Sequence, residues 1–220
     1  AADCVPANDV WALGHGWTAY AALTRGAPVR RDDVVFIASA GGAIGSMAGQ
    51  LARLLGARRV IGSTSSAAKA ARIVDELGYD AVVARAEGRF LEQLAAAAPE
   101  GIDVVIDTVG GTQLEAALSL VRDGGRVALI GTLHQDLALE EAHVRVDAYR
   151  FLARRVTMRG YSADDDVAAL PEWEERASAW NRDGVLRFPY ASIRGLAAAS
   201  AALVDASAGR YLGAVIVELV

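Results

Sequence analysis

Two stretches of this chain hold residue types and spacings that can do chemistry. The first is a glycine turn, Ala40-x-Gly42-x-x-Gly45, which also contains Ala43 and Ile44. An apolar run, Val34 to Ala38, leads into it, and a stretch with Ile44, Met47, Ala48, Leu51 and Leu55 on one stripe leads out. A buried strand, a tight turn and an amphipathic helix in that order gather free backbone N–H groups at the positive end of a helix. That arrangement suits a pyrophosphate. The dinucleotide fingerprint usually opens on glycine; here the first position is Ala40, also small. The alternative is a tight turn of another α/β protein.

The second stretch lies at the tip of the next expected strand. A carboxylate there would hold the ribose 2′-hydroxyl of NAD. The chain has Ser63, Thr64, Ser65 and Ser66 instead, with Lys69 just beyond. Hydroxyls and an ammonium receive a 2′-phosphate by hydrogen bonds and charge. Arg85, after the third expected strand, can reach it from the side. NADPH is thereby favoured over NADH. The same hydroxyls can equally cap a helix beginning at residue 67. Of the 22 basic residues only Lys69 is a lysine, which singles out its position.

Positioning these groups requires a sheet. After the first strand and helix, further strands are expected at 59–62, 81–84, 103–109 and 126–130. Helices are expected at 67–77, stopped by Gly78, at 90–98, closed by Pro99, and at 113–121. Strand and helix alternate five times, the pattern of a parallel sheet covered on both faces. The fold class is α/β, a doubly wound (Rossmann) three-layer αβα sheet. Residues 8–23 read as a helix with Asn8 as N-cap and a break at Gly14-His15-Gly16. Beyond residue 133 the pattern is less regular: a helix at 147–154, a sixth strand at 156–161 and a helix at 170–182. An extended piece at 186–190, a helix at 196–204 and a strand at 214–219 follow. The acidic run Asp164 to Asp166 reads as a solvated helix start.

The chain has 220 residues, 53% hydrophobic and 22% charged, with net charge −5, so a sizeable core is available and nucleic acid or anionic membrane is a poor partner. Val34 to Ala52 carries no charge, yet its four glycines and two serines fit the nucleotide turn better than a membrane span. The single cysteine, Cys4, excludes an internal disulfide and a Cys-rich zinc site and fits a reducing, cytoplasmic setting. His15 has no metal-ligating cluster near it in sequence, so no metal is expected. No signal peptide precedes the helix, and without an initiator Met the chain is expected to be a processed product or a fragment.

Several strings, in order, resemble the zinc-independent medium-chain dehydrogenase/reductases, above all the alkenal/prostaglandin reductase branch, with the quinone oxidoreductases nearby. They are LGHGWTAYAAL, SAGGAIGSMAGQLARLLGA, VIGSTSSAAKAARIVDELGYD, GIDVVIDTVGGTQLEAAL, GGRVALIGTL, RVTMRGY, WNRDGVLRFPY and GRYLGAVIVEL. The resemblance implies NADPH-dependent reduction of the carbon–carbon double bond of an enone or enoyl substrate. It places Ala40, Gly42, Ile44 and Gly45 at the pyrophosphate and Ser65 and Lys69 at the 2′-phosphate, with Arg85 where the branch tends to have tyrosine. It places Thr108, Val109 and Gly110 along the cofactor cleft and Gly131, Thr132 and Leu133 along the nicotinamide. The chain departs from the branch at a Tyr-Asn pair, where it has Asp136 and Leu137. It departs again at an asparagine near the nicotinamide, where it has Tyr211, and at a lysine, where it has Ala214.

The resemblance also implies a division into 1–31, a connector from a catalytic domain, 32–185, the dinucleotide domain, and 186–220, a return segment. It implies homodimers paired through the sixth strand. Three readings of function stand: a reductase, a non-catalytic NADPH-binding module, and an enoyl-reductase or cyclase component of a biosynthetic assembly. No catalytic residue is assigned; His134, Tyr20 and Tyr211 are weak proton-donor candidates.

Overall fold

The computed structural model describes residues 10–85, 88–132 and 143–219, with side chains from residue 14 onward. Six strands form one wholly parallel sheet: β1 (Val34–Ile37), β2 (Arg59–Thr64), β3 (Ala81–Ala84), β4 (Ile102–Asp107), β5 (Val121–Leu129) and β6 (Thr157–Gly160). Their order is β3-β2-β1-β4-β5-β6, so the chain reverses direction across the sheet between β1 and β4. This is the expected doubly wound topology.

Alternation along the strands sorts side chains into two cores. Val35, Ile37, Val60, Val104 and Ile106 point to one face, where α1 (Val10–Ala21), α2 (Ala43–Leu54) and α3 (Ala67–Leu77) pack. Val34, Phe36, Ile61, Ile102 and Val105 point to the other, against α4 (Phe90–Ala97), α5 (Gly111–Leu120) and α6 (Ala148–Arg154). The uncharged stretch 34–52 is therefore a strand, a turn and a helix. Among the described residues no helix is long and apolar enough to cross a membrane.

The expected break at Gly14-His15-Gly16 does not occur; α1 runs through it and ends in a π turn, Ala22–Gly26. The reason is tertiary. Gly16 lies against the indole of Trp173 in α7 (Leu170–Arg182), where a Cβ would collide with the ring. The small residues let two helices approach rather than bend one. Asn8 lies outside the described residues. The extended piece at 186–190 leads into β7 (Tyr190–Arg194), which pairs in parallel with β8 (Ala214–Glu218). A short 3₁₀ turn and α8 (Ala199–Ser207) connect them. The acidic run sits in the 3₁₀ turn Ala163–Ala169, capped by the Ser162 hydroxyl accepting from the Asp164 N–H.

Candidate functional site

The carboxyl ends of the strands on either side of the β1/β4 reversal open into a two-lobed cleft. The larger lobe holds about 620 Å³ and the smaller about 270 Å³; Ser39, Gly42, Ala43 and His15 line both. Ligands of open parallel sheets bind at this kind of position.

The glycine turn forms the floor. Ser39 adopts a left-handed conformation at φ 54°, and the Gly42 N–H donates to its carbonyl at 2.9 Å. A Cβ on Gly45 would strike that same carbonyl oxygen, so glycine is required there. Gly42 is the N-cap of α2 and contributes no capping side chain. The N–H groups of Ala43, Ile44 and Gly45 have no carbonyl one turn back within the helix, and these residues face the cleft. Ala40 is not brought to the cleft. It is fully buried, and its N–H donates to the Ser63 carbonyl at 2.8 Å. The first fingerprint position thus joins β1 to β2.

Ser63, Thr64, Ser65, Lys69 and Arg85 all line the larger lobe. The capping alternative is met by Ser66, whose hydroxyl accepts from the Lys69 N–H at 3.4 Å. The Ser63 hydroxyl accepts from the Ser39 N–H at 3.2 Å, tying the two chemical stretches together. The Lys69 stem lies over Gly41, where a Cβ would displace its Cε. Burial, and secondarily Arg72, lowers the Lys69 pKa. Neither Lys69 nor Arg85 has a hydrogen-bonded or ion-paired side-chain partner among the described residues. A half-buried ammonium without a counter-charge is unfavourable unless an anion joins it.

Thr108, Gly131 and Thr132 line the smaller lobe, and Val109 the larger. Asp107, at the end of β4, fixes the turn that presents Val109. Its carboxylate accepts from the Gly110 N–H at 2.7 Å and the Val109 N–H at 3.3 Å. Burial pushes its pKa up to about 6 despite both donors. Tyr211 lines the larger lobe beside Lys69 and Ser65 and is not among the residues of the smaller one, where a nicotinamide neighbour is expected. Its hydroxyl donates to Asp205 at 3.4 Å. Leu133, His134, Asp136 and Leu137 lie outside the described residues.

The far wall comes from the end of the chain. Ala206 to Gly209 line the larger lobe, and the Gly213 N–H donates to the Gly41 carbonyl at 3.0 Å. Among the lining residues that the sequence did not single out for this site are Ser39, His15 and Gln113, besides the residues of the far wall. His15 has no neighbours in sequence that mark it; only the passage of α1 past the glycine turn brings it to both lobes. Among the described residues no group of three or more His, Cys, Asp or Glu side chains could hold a metal ion, so the residues described do not fit a zinc site.

Comparison with known proteins adds a lineage to this geometry. The zinc-binding dehydrogenase family model matches residues 43–179. NADP-dependent oxidoreductase RED1 of Cochliobolus heterostrophus is 30% identical over 208 residues, 93% of this chain and 59% of that protein. The NADP(+)-dependent 2-alkenal reductase of Nicotiana tabacum is 30% identical over 199 residues, 90% of this chain and 57% of that protein. The crystal structure of CurA from Vibrio vulnificus in complex with NADPH superposes with a TM-score of 0.88 at 29% identity, covering 98% of this chain and 66% of that one. The chain thus spans less than two thirds of each of these relatives.

Proposed function

This chain belongs to the zinc-binding dehydrogenase family, and from that premise we propose that it binds NADPH and serves the reduction of the carbon–carbon double bond of an α,β-unsaturated carbonyl compound. The observation that carries the reading is the Lys69 ammonium, without a side-chain partner among the described residues, beside Ser63 and Ser65, with no carboxylate at the tip of β2, next to a capless helix N-terminus. That donor set fits a 2′-phosphorylated dinucleotide on charge and on hydrogen-bond inventory. The names of the relatives, an NADP-dependent oxidoreductase and a 2-alkenal reductase, point to the same chemistry.

Bound NADPH supplies a hydride to the β-carbon of the substrate. The chain's own part is orientation. The Ala43, Ile44 and Gly45 N–H groups hold the diphosphate; Ser63, Ser65, Lys69 and Arg85 hold the 2′-phosphate. Thr108, Gly131 and Thr132 flank the space left for the nicotinamide and orient the ring there. A substrate is held against the ring from the open side of the smaller lobe. Two copies pair through β6, which ends the sheet order; light scattering at micromolar concentration should give twice the chain mass.

One observation favours a second reading, an NADPH-binding module without turnover. Among the described residues lining the smaller lobe His15 is the single ionisable side chain, so these residues offer few sources of a proton for an enolate. Mixing the protein with NADPH and but-3-en-2-one separates the readings. Saturable binding with loss of reduced-nicotinamide absorbance supports the reductase. Binding without turnover supports the module, and absence of binding overturns both.

A further inference from the structure

Gln113 lies in the first turn of α5, two residues after the Gly110-Gly111 pair. It is among the few buried polar residues of the chain, 6% exposed, and what remains of its surface lines the larger lobe. Its carboxamide makes no hydrogen bond to any described residue. An amide has two donors and an acceptor with two lone pairs, and those of Gln113 that open on the lobe are available to a ligand there. Neighbouring positions on this face, Leu114, Ala117 and Leu118, are apolar and buried, so an apolar side chain would suit position 113 on packing alone. The amide therefore has a reason other than the core.

Its surroundings identify the ligand group. Gln113 shares the larger lobe with Ser65, Lys69 and Arg85 on one side and Val109 on its own side, and it is absent from the smaller lobe. A nucleotide whose 2′-phosphate meets Lys69 puts its base in this same lobe, since base and 2′-phosphate hang from one ribose. Val109 offers a flat apolar contact for a base face. A carboxamide offers an acceptor and a donor side by side, the complement of the amine and adjacent ring nitrogen on an adenine edge.

We propose that Gln113 reads the adenine of the cofactor, accepting from the exocyclic N6 amine and donating to the ring nitrogen beside it. The inference rests on the NADPH reading above. It makes Gln113 a determinant of base identity, separate from Lys69 and the serines, which determine the phosphate.

The test compares NADP+ with its 1,N6-etheno derivative, in which the amine and N1 are closed into a ring while ribose, phosphates and nicotinamide are unchanged. Wild type should bind NADP+ about tenfold more tightly than the etheno derivative, the factor expected for one to two net hydrogen bonds. Gln113→Met, of similar length and volume, should lose that preference by weakening NADP+ alone. Gln113→Glu keeps an acceptor, lacks the donor, and should retain part of the preference; it also serves if the methionine variant folds poorly. Equal binding of the two nucleotides by wild type, with NADP+ binding intact, overturns the assignment and leaves the NADPH reading standing. So does a preference that survives in both variants. Failure of either nucleotide to bind overturns both.

Discussion

At Lys69 the balance between burial and charge decides the outcome. A half-buried ammonium over Gly41 has given up hydration without gaining a carboxylate among the described residues, a loss that a phosphate would restore. Lys69→Glu should raise the dissociation constant of NADPH by about 10- to 100-fold, the range of a charge-assisted hydrogen bond replaced by repulsion. NADH, which lacks the phosphate, should change by less than threefold or so on the same argument. Titration calorimetry on both nucleotides checks it, and equal losses would remove the phosphate assignment. Asp107 makes an opposite case. Its folded pKa is raised to about 6 from 3.8, so the folded state holds a proton that the unfolded chain releases. Stability from this group is full below about pH 4 and is lost as pH rises through about 6. The loss amounts to roughly 3 kcal/mol by linkage. Asp107→Asn keeps an acceptor for the Gly110 N–H and cannot ionise. Its stability advantage over wild type should grow between pH 4.5 and pH 7.5, as read by urea denaturation at each pH. The residue types at 63–66 and 69 were legible in sequence because they replace an expected carboxylate. Gln113 and His15 were not, since a lone amide or imidazole becomes informative only when its burial and the cleft around it are known.

The elements around the glycine turn were legible almost to the residue, because local signals and tertiary demand agree there. Strand alternation, the Ser66 cap and the left-handed Gly78 all act within a few residues. The failures came where packing overrode a local rule. Glycines at 14 and 16 suggest a broken helix, yet Trp173 occupies the space that Gly16 leaves. Gly49 in α2 follows the same logic. Its lack of a side chain opens a groove, and the Tyr79 ring fills it, with the Tyr79 hydroxyl donating to the Gly45 carbonyl at 2.6 Å. Helix propensity alone predicts that Gly49→Ala stabilises by about 1 kcal/mol. The alanine Cβ would overlap the Tyr79 ring, and overpacking of a tight core costs about 1–3 kcal/mol. Steric cost wins, so Gly49→Ala should lower the melting temperature. Tyr79→Phe keeps the ring and should lose only about 1 kcal/mol, the value of one hydrogen bond.

For the whole molecule, ligand binding should appear as stability. NADPH at one hundred times its dissociation constant adds about 2.7 kcal/mol by mass action. For a chain of this size that corresponds to about 5–10 °C in melting temperature. Differential scanning fluorimetry with NADPH and NADH at one concentration should separate the two by their shifts, and a shared shift would argue against a 2′-phosphate site. The doubly wound order was legible because five strand–helix alternations leave few topologies. The partnership between the glycine turn and the end of the chain was not, since no local pattern reports which distant segments meet. The hydrogen bond from the Gly213 N–H to the Gly41 carbonyl is that partnership in its smallest form. It joins residues close to opposite ends of the described chain, and contacts of such long sequence separation form late because a large loop must first be closed. Affinity for the nucleotide is therefore a late-arriving property of folding. During refolding the far-ultraviolet dichroism of the sheet and helices should recover first, and the fluorescence of captured NADPH should follow as a slower phase. A ribosome-bound chain that has built its sheet would still be waiting for the residues around Gly213 before it could hold its cofactor.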